Sequence, residues 1–543
     1  MALPDLGSSS KDAPCAFCNQ PSKNECTGCE HAAYCSGEHQ KEHWPQHRQK
    51  CKSYKVLKND KVGRYGVASR TLDPGEEVLT EFPVVVGPKP DSYVMCLGCY
   101  APVDGSTSCS KCGWPVCGPE CEMQPCHASA ECQVFNAAGA KFQPVENCMD
   151  SCPQLNCITP LRLLLSKETT PERWESEVKL MEAHNDERKD TYIWENNQIN
   201  IVDYLRNVCK LANRFDEELI HTACGILEVN SFEVRCPSGS AIQGLYPQTA
   251  ILSHNCVPNT SHCIIAADNN KLILRTTVKV EKDEELFTTY THTLNPTLIR
   301  REHLKQSKFF DCNCTRCTDP TELGTNMSSL KCNKCDPGVI MSSNPLDPAA
   351  QWKCSHCEFV TPGPAVRRVF SIIQNDMEQL DYLEPGAETV EIRENLWKKY
   401  RSVLHPKNAF LMSLRCSLSQ LYGRAEGYIM EDLPDILLER KIDFCKDILS
   451  VANIVEPGYS RLRGMTLYEL HAPVMLFARS QWRYGEIDDK KLRVRLEEAE
   501  KYLKEAVEIL KLEPPTSPEG MIASIAEQSL QQLHESIESL PKS

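Results

Sequence analysis

The sequence has no apolar run long enough to cross a membrane, and residues 1–14 lack the apolar stretch that a secretory signal needs. These two absences favour an intracellular protein whose thiols stay reduced. A surplus of positive charge is also missing, because the formal net charge is −14. The whole surface is therefore not expected to bind nucleic acid, since phosphate contacts need a local excess of Lys and Arg.

One local exception to this acidic balance runs from Lys41 to Arg70. The stretch holds nine Lys/Arg against two Asp/Glu. A solvated helix face is the plainer interpretation, and docking of DNA, RNA or an acidic peptide is the alternative. Nucleic acid therefore stays open as a partner only through this stretch.

Cysteine, by contrast, is abundant, with 31 residues in a chain of 543. In a reducing compartment, cysteines clustered at CxxC spacing are metal thiolates far more often than disulfides. Eight ligand-type residues fall between residues 15 and 51: Cys15, Cys18, Cys26, Cys29, Cys35, His39, His47 and Cys51. A similar eight fall between residues 96 and 132: Cys96, Cys99, Cys109, Cys112, Cys117, Cys121, His127 and Cys132. Each set supplies enough N/S ligands for two tetrahedral Zn²⁺ ions.

Two smaller cysteine groups follow further along the chain. Three close cysteines, Cys312, Cys314 and Cys317, leave one corner of a tetrahedral zinc site open. The other group is a CxxC pair of pairs around a proline-containing loop, formed by Cys332, Cys335, Cys354 and Cys357. This spacing is typical of a zinc ribbon, with unliganded thiols as the alternative.

Between the clusters, the sequence pattern changes from strand to helix and back. Residues 62–86 alternate apolar and polar positions around turn residues, which predicts strands. In residues 160–227 apolar side chains recur every three or four positions, which predicts helices. In residues 230–290 the pattern again predicts strands and turns. Beyond residue 364 the chain reads as amphipathic helices without cysteine pairs, which suits a helical repeat or bundle.

Seven short motifs connect the sequence to a known family. YCSGEHQKEHWPQHRQKC, at residues 34–51, resembles the second half of a MYND zinc finger. The other six occur in the order found in SET domains: GRYG at 63–66, NSF at 230–232, GLYP at 244–247, SHNCVPN at 253–259, EELFTTY at 284–290 and CNCTRC at 312–317. The chain therefore resembles the SMYD (SET and MYND domain) family of protein lysine methyltransferases, and most closely its arthropod-type branch with two MYND-like fingers.

The resemblance implies an α+β multidomain fold. A β-rich SET domain would carry an inserted zinc finger, with an extra N-terminal MYND finger, post-SET zinc sites and a C-terminal α-helical, TPR-like domain. The expected boundaries are a disordered lead at 1–14, a MYND-type finger at 15–51, the SET N-terminal part at 55–95, a second MYND-like finger at 96–132, a helical SET insert at 133–229, the SET core at 230–292, a post-SET zinc region at 300–320, a zinc ribbon at 330–360 and the helical domain at 364–543.

The family's interleaved finger also implies how the zinc ligands pair. In a MYND-like cross-brace the first and third ligand pairs share one ion, and the second and fourth share the other. The first finger would use Cys15, Cys18, Cys35 and His39 at one site, and Cys26, Cys29, His47 and Cys51 at the other. The second would use Cys96, Cys99, Cys117 and Cys121, then Cys109, Cys112, His127 and Cys132. His43 competes with His39, Cys126 competes with His127, and Cys256 would complete the post-SET site.

Similarity to SET enzymes further implies S-adenosylmethionine (SAM) as cofactor and a tyrosine hydroxyl that orients the reacting groups. By motif position the expected catalytic residue is Tyr290. The expected cofactor-binding residues are Gly63, Arg64, Tyr65, Asn230, Ser253, His254, Tyr290 and Phe310. Several positions depart from the family pattern: Tyr65 and Asp283 replace glycines, Ser253 replaces an asparagine, and Lys308 replaces a second active-site tyrosine.

The function implied by the resemblance is SAM-dependent methylation of lysine in a protein substrate. The MYND fingers would recruit that substrate or proline-rich partner peptides, and the protein is expected to be a cytoplasmic and nuclear monomer with no membrane partner. The departures at Tyr65, Ser253 and Lys308 leave an alternative open. In that alternative the SET domain is a catalytically weak or inactive scaffold, and the chain acts as a zinc-finger adaptor or transcriptional co-regulator.

Overall fold

The computed structural model describes residues 14–22, 24–26, 32–47, 51–384 and 386–540. Short strands lie in the first two thirds of these ranges: Asn24–Glu25, Ala33–Tyr34, Tyr54–Asn59, Gly63–Ala68, Glu77–Glu81, Val85–Pro88, Ser231–Arg235, Ala241–Leu245, Ser253–His254, Thr260–Ile265, Lys271–Thr276, Phe287–Thr288, Leu330–Lys331, Val339–Ser342, Trp352–Cys354 and Val360–Thr361.

The α-helices are short in the zinc modules and long in the C-terminal part. Their bounds are Gly37–His47, Pro119–Glu122, Pro125–Ala128, Glu131–Ala138, Ile158–Thr169, Pro171–Ser176, Asn185–Arg188, Tyr192–Asn197, Glu217–Asn230, Thr297–Lys308, Thr315–Thr318, Gly363–Glu378, Ala387–Tyr400, Ala409–Leu421, Asp435–Val455, Arg461–Arg483, Asp489–Leu510 and Pro518–Glu538. Among the described residues, no helix combines the length and the apolar character needed to cross a membrane.

Strands that are distant in sequence pair to form the central sheets. Val85–Pro88 pairs antiparallel with Ala241–Leu245. The roughly 150 residues between these two strands therefore form an insertion that leaves the sheet and returns to it. Ser231–Arg235 pairs with the other edge of Ala241–Leu245. Phe287–Thr288 runs parallel to Ser253–His254, and this short pairing brings the segment before Tyr290 beside the SHN motif.

The inserted segment contains the second cysteine cluster and a helical region. The helix Ile158–Thr169 buries most of its side chains, because its ITPLRLLL sequence is apolar nearly all round. The helix Glu217–Asn230 starts at Asp216, whose side chain accepts a hydrogen bond from the Leu219 amide and so caps the helix. Both helices contribute to the largest hydrophobic core, which they share with the central strands.

In the C-terminal part, long helices that follow one another in sequence pack together: Asp435–Val455 with Arg461–Arg483, Arg461–Arg483 with Asp489–Leu510, and Asp489–Leu510 with Pro518–Glu538. Along Asp489–Leu510, the side chains of Leu492, Leu496, Ala499 and Leu503 are buried at three and four spacing, as the amphipathic pattern predicts. The α+β multidomain architecture expected from the sequence is confirmed, with short strands and cysteine-rich modules followed by a helical region.

The helical region docks directly on the central sheets. The amide of Tyr459 donates to the Thr277 carbonyl at 2.7 Å, and the Thr293 hydroxyl donates to the half-buried Glu456 carboxylate. Gly458 has a φ of +75°, and a Cβ there would lie 1.9 Å from the Thr277 carbonyl oxygen. Only glycine allows this close backbone approach, which fixes the helices against one wall of the cavity described below.

Zinc sites and the central cavity

The first finger brings one of its predicted ligand sets together. Cys15, Cys18, Cys35 and His39 place their ligand atoms within 4.8 Å of one another. His39 lies on the helix Gly37–His47 and directs Nδ1 to 3.0 Å from Cys35 Sγ. Three sulfurs and one imidazole nitrogen are a donor set that suits a closed tetrahedral Zn²⁺ site.

The competing histidine of this finger has other contacts. His43 Nδ1 lies 3.0 Å from the Tyr34 hydroxyl, and its ring stacks on His47. At the second ligand set, Cys26 Sγ and Cys51 Sγ are 3.9 Å apart and His47 is buried. Cys29, the remaining predicted ligand, lies outside the described residues. The geometry therefore favours His39 over His43 at the first set.

The second finger assembles two ligand sets within its short chain. Their members lie within 4.8 Å of one another in each case: Cys96, Cys99, Cys117 and Cys121 form one, and Cys109, Cys112, His127 and Cys132 form the other. His127 Nε2 points at Cys112 Sγ at 3.7 Å. Cys126 instead directs its thiol toward the backbone carbonyls of Leu97 and Gly98. The structure thus groups His127, and not Cys126, with the cysteines.

A buried ion pair supports His127 from behind. The Glu131 carboxylate accepts hydrogen bonds from His127 Nδ1 at 2.8 Å and from Arg162 Nη2 at 2.7 Å. The side chains of Glu131 and Arg162 are almost fully buried. Burial opposes ionisation of Glu131, yet the Arg162 guanidinium holds the pKa of that carboxyl below its usual value. Arg162 also donates to the Tyr100 hydroxyl and the Leu97 carbonyl. A carboxylate behind a histidine in this way orients it for metal binding.

The post-SET cysteines meet the SHNC motif. Cys256, Cys312, Cys314 and Cys317 have their sulfurs within 4.8 Å of one another, with Cys256 and Cys317 at 3.5 Å. Arg300 donates from Nε to Cys256 Sγ at 3.3 Å and from Nη2 to Cys317 Sγ at 3.5 Å. A buried guanidinium that faces two sulfurs matches the thiolate charge of a zinc site.

The ribbon cysteines form a fifth ligand set. Cys332, Cys335, Cys354 and Cys357 meet within 4.8 Å at the end of a four-stranded antiparallel sheet. A Cβ at Gly338 would lie 2.4 Å from Cys335 Sγ, so glycine is required where the loop passes the sulfurs. The four sulfurs fit structural zinc.

A cavity of about 1830 Å³ opens between the central sheets and the helical region. Most of the residues predicted to bind cofactor line it, namely Gly63, Arg64, Asn230, Ser253, His254, Tyr290 and Phe310. Tyr65 is absent from this lining. It belongs to the strand Gly63–Ala68, where successive side chains point to opposite faces, so Arg64 faces the cavity and Tyr65 does not.

Tyr290 and His254 are joined to each other and to the post-SET cluster. The Tyr290 amide donates to His254 Nδ1 at 3.0 Å, which leaves Nε2 to donate to Cys256 Sγ at 3.3 Å. The Tyr290 hydroxyl donates to the Leu252 carbonyl, and burial raises the pKa of this phenol. The hydroxyl therefore stays protonated and fixed in orientation at neutral pH.

Two serine hydroxyls in the cavity wall lack internal partners. Ser231 Oγ and Ser253 Oγ are buried and have no hydrogen-bond partner among the described residues, and both residues line the cavity. A buried hydroxyl without a partner costs free energy, so a polar ligand that hydrogen bonds it is favoured. The ring of Phe310, 5.9 Å from that of His254, adds an apolar surface. These walls fit a ligand with both polar and apolar parts, as SAM has.

The cavity has further walls that sequence reasoning did not identify. Arg461, Glu513 and Glu519 reach it from the helical region, where Arg461 pairs with both carboxylates. The periodicity of a helical sequence does not indicate that its charged residues will line a cavity formed with another part of the chain. The sequence identifies Lys308 only as a departure from the family pattern, and its side chain also lines the cavity.

Comparisons with known proteins agree with this architecture. The MYND finger family model matches residues 15–51, and the SET domain family model matches residues 154–291. The chain is 32% identical over 327 residues to the SET domain-containing protein SmydA-8, isoform A, of Drosophila melanogaster, covering 58% of this chain and 67% of the relative.

Two further relatives carry enzyme names. The N-lysine methyltransferase SMYD2 of Gallus gallus is 25% identical over 338 residues, or 59% of this chain and 67% of the relative. The histone-lysine N-methyltransferase ASHR1 of Arabidopsis thaliana is 22% identical over 430 residues, or 75% and 83%.

A SET domain joined to a MYND finger, with several cysteine-rich zinc modules, defines the class of SET and MYND domain proteins. The chain belongs to the SMYD family of protein-lysine methyltransferases. The family membership expected from the sequence motifs is thereby confirmed.

Proposed function

We propose that the protein is a SAM-dependent protein-lysine N-methyltransferase of the SMYD type. The observation that carries the proposal is the arrangement of Tyr290 in one cavity with the unpartnered hydroxyls of Ser231 and Ser253. The names of the relatives SMYD2 and ASHR1 support lysine as the acceptor.

Residues around the cavity have separable tasks in this proposal. Gly63, Arg64, Asn230, Ser253 and His254 would hold the cofactor, with Phe310 covering it. SAM, when bound, supplies a methyl group activated by its sulfonium. Methyl transfer needs a neutral amine held in line and shielded from water, and no covalent intermediate. Tyr290, whose hydroxyl is fixed on the Leu252 carbonyl, would orient the acceptor.

The zinc sites have a structural task. Each of the five grouped sets supplies four protein ligands, which leaves no open position for substrate. At the post-SET set, Cys256 lies two residues from His254, and the sulfurs join the SHNC motif to the chain that carries Phe310. Zinc there would hold two walls of the cavity together.

Calorimetric titration of the zinc-loaded protein with SAM tests the proposal. We expect saturable binding, together with transfer of labelled methyl groups to lysine in a mixture of histones and other lysine-containing proteins. Tyr290→Phe should lower the transfer rate on the order of 10²-fold while SAM still binds, because one oriented polar contact is lost. Tyr93→Phe, whose hydroxyl contacts Ser240 outside the cavity, is the matched control. Absence of SAM binding would overturn the proposal.

We further propose that the first finger recruits proline-rich partners or substrates. Phe17 is 46% exposed in this finger and lies 5.0 Å, ring to ring, from His39. Exposed aromatic rings are the surfaces on which proline-rich peptides dock. Phe17→Ala should weaken capture of a proline-rich peptide in a binding assay, whereas Phe82→Ala, equally exposed outside the finger, should not. Equal capture by both variants would contradict this role and leave methyl transfer as the only proposed activity.

A further inference from the structure

The cavity contains an amine of the protein's own chain. Lys308 is the last residue of the helix Thr297–Lys308, and the next residue, Phe309, has a φ of +59° that turns the chain sharply toward the post-SET cysteines. The Lys308 side chain, at the end of this helix, lines the cavity together with Tyr290, His254 and Phe310.

The contacts of Lys308 place its amine beside the expected site of chemistry. Nζ donates to the Val229 carbonyl, next to Asn230 in the cavity wall. The same nitrogen lies 5.9 Å from the centroid of the Tyr290 ring. The amine is thus held near the tyrosine by a neutral carbonyl oxygen.

Lys305, one helical turn earlier, has a different environment. Its side chain is 68% exposed and its ammonium pairs with Asp311 at 3.2 Å. No carboxylate in the part of the chain that the structure describes lies within ion-pairing distance of Lys308 Nζ. The titratable side chains that line the same cavity are imidazoles, among them His254, His292 and His303, and carboxylates, among them Glu182, Glu285 and Asp311. None of these described groups forms a hydrogen bond or ion pair with Lys308 Nζ, and burial alone lowers its pKa.

Burial lowers the pKa of Lys308 to about 8. About half of the amine would then be neutral at pH 8, whereas a lysine of ordinary pKa would be less than about 1% neutral. A neutral amine is the form that can attack a methyl group. Lys308 therefore combines its position and its access to the cavity with burial that favours the neutral, nucleophilic form of its amine.

We propose that Lys308 is an internal methyl acceptor, so that the protein methylates its own cavity lysine. This inference rests on the proposed SAM-dependent activity. The Nζ lone pair would form the new N–C bond, the C–S bond of the sulfonium would break with its electron pair going to sulfur, and S-adenosylhomocysteine would be released. The extra proton on the methylated nitrogen would pass to water.

Methylation at this position would alter the acceptor site itself. A methylated Lys308 keeps its positive charge when protonated but has fewer N–H groups for the Val229 carbonyl. It would also place an added methyl group near the Tyr290 ring. Methylation of Lys308 would therefore leave a covalent modification in the cavity wall after the protein has used SAM.

Site-resolved mass spectrometry of the full-length, zinc-loaded protein tests the proposal. After incubation with trideuteromethyl SAM and cleavage at acidic residues, we expect label on Lys308 and none on Lys305. The labelled fraction at a given time should not change on dilution, because the transfer is intramolecular. Lys308→Arg should abolish the label and Lys305→Arg should retain it, provided that both variants keep the wild-type zinc content and melting temperature.

Acylation of lysines gives a second readout that needs no methyl transfer. The rate at which acetic anhydride modifies Lys308 should rise through a midpoint near pH 8, and S-adenosylhomocysteine should slow this reaction while leaving Lys305 unaffected. Binding of S-adenosylhomocysteine by calorimetry with neither protection nor label at Lys308 would overturn this inference alone. Failure of SAM and S-adenosylhomocysteine to bind would overturn the proposed function as well.

Discussion

The backbone amide of Tyr290 donates a hydrogen bond to Nδ1 of His254 at 3.0 Å. The opposite ring nitrogen of His254 faces Cys256 Sγ at 3.3 Å. One imidazole therefore connects the oriented tyrosine of the cavity to a sulfur of the post-SET zinc set.

Replacement of the connecting imidazole should affect metal and cavity together. His254→Ala removes the Nε2 contact to Cys256, and we expect zinc affinity at the post-SET set to fall roughly 10- to 100-fold, as for other lost contacts to metal ligands. Competition with a chromogenic chelator measures this affinity. His534→Ala, in an exposed pair with Glu500 in the helical region, is the control and should release zinc as the wild type does.

The carboxylate behind His127 should tune the second finger. Glu131→Gln removes the charge that orients His127 and neutralises Arg162, so zinc at that set should dissociate roughly 10- to 100-fold more readily. Glu120→Gln changes an exposed carboxylate of the same finger, on the helix Pro119–Glu122, and it should leave chelator competition unchanged. Equal loss of zinc in both variants would mean that Glu131 has no orienting role.

A buried carboxylate between two arginines should make stability depend on pH. Glu322 is 1% exposed and pairs with Arg300 and Arg316 at 2.8 and 2.9 Å. Burial opposes its ionisation, but the two guanidinium groups lower the pKa from 4.5 to about 2. The stabilisation is therefore complete above pH 4.5 and is lost as the pH falls toward 2.

Glu322→Gln should consequently lower the free energy of unfolding by about 3–5 kcal/mol at neutral pH, because two arginines are left without their charge partner. The difference from the wild type should shrink below pH 4.5, where the wild type loses the same charge. Urea unfolding at a series of pH values measures it. Glu302→Gln breaks an exposed pair with Arg367 and should cost about 1 kcal/mol or less. A pH-independent difference would contradict the assignment.

The docking of the helical region should depend on one glycine. Gly458→Ala places a Cβ against the Thr277 carbonyl oxygen, so the helices would have to move away from the sheet. Gly485 has the same φ of +75° but open space around it, so Gly485→Ala carries only the backbone strain, roughly 1–2 kcal/mol. Gly458→Ala should lower the melting temperature further and expose the segment near Tyr459 to limited proteolysis. Matching behaviour of the two variants would show that strain alone matters.

The zinc ligand sets could be predicted because their chemistry is local. CxxC pairs and the Cys35-to-His39 spacing bring ligands together within a few residues, so the sequence alone identifies most of each set. The sequence motifs also point to the SHN segment and to Tyr290, and a short parallel pairing brings these two segments side by side. The sequence motif predicts that Tyr65 binds cofactor, but Tyr65 does not line the cavity. Which side of a strand faces a cavity depends on how the strand packs, and a motif does not record this.

Contacts between distant segments could not be predicted. Arg162 contacts Glu131, and Arg300 contacts Cys256. These partners are far apart in sequence, so helix and strand periodicity does not indicate that they meet. The same holds for Arg461 and Glu513, which enter the cavity wall from amphipathic helices. Lys308 is an unusual residue type at its motif position, but its place in the cavity wall follows from where the helix Thr297–Lys308 ends against the central sheets.

The cavity wall also has a consequence for folding. Its lining extends in sequence from Lys58 to Glu519, so nearly the whole chain must be placed before the cavity exists. Closing such long loops is slow, whereas each finger closes over only tens of residues. We therefore expect the zinc modules to mature early and the capacity to bind cofactor to emerge late during refolding, as a step separate from metal uptake.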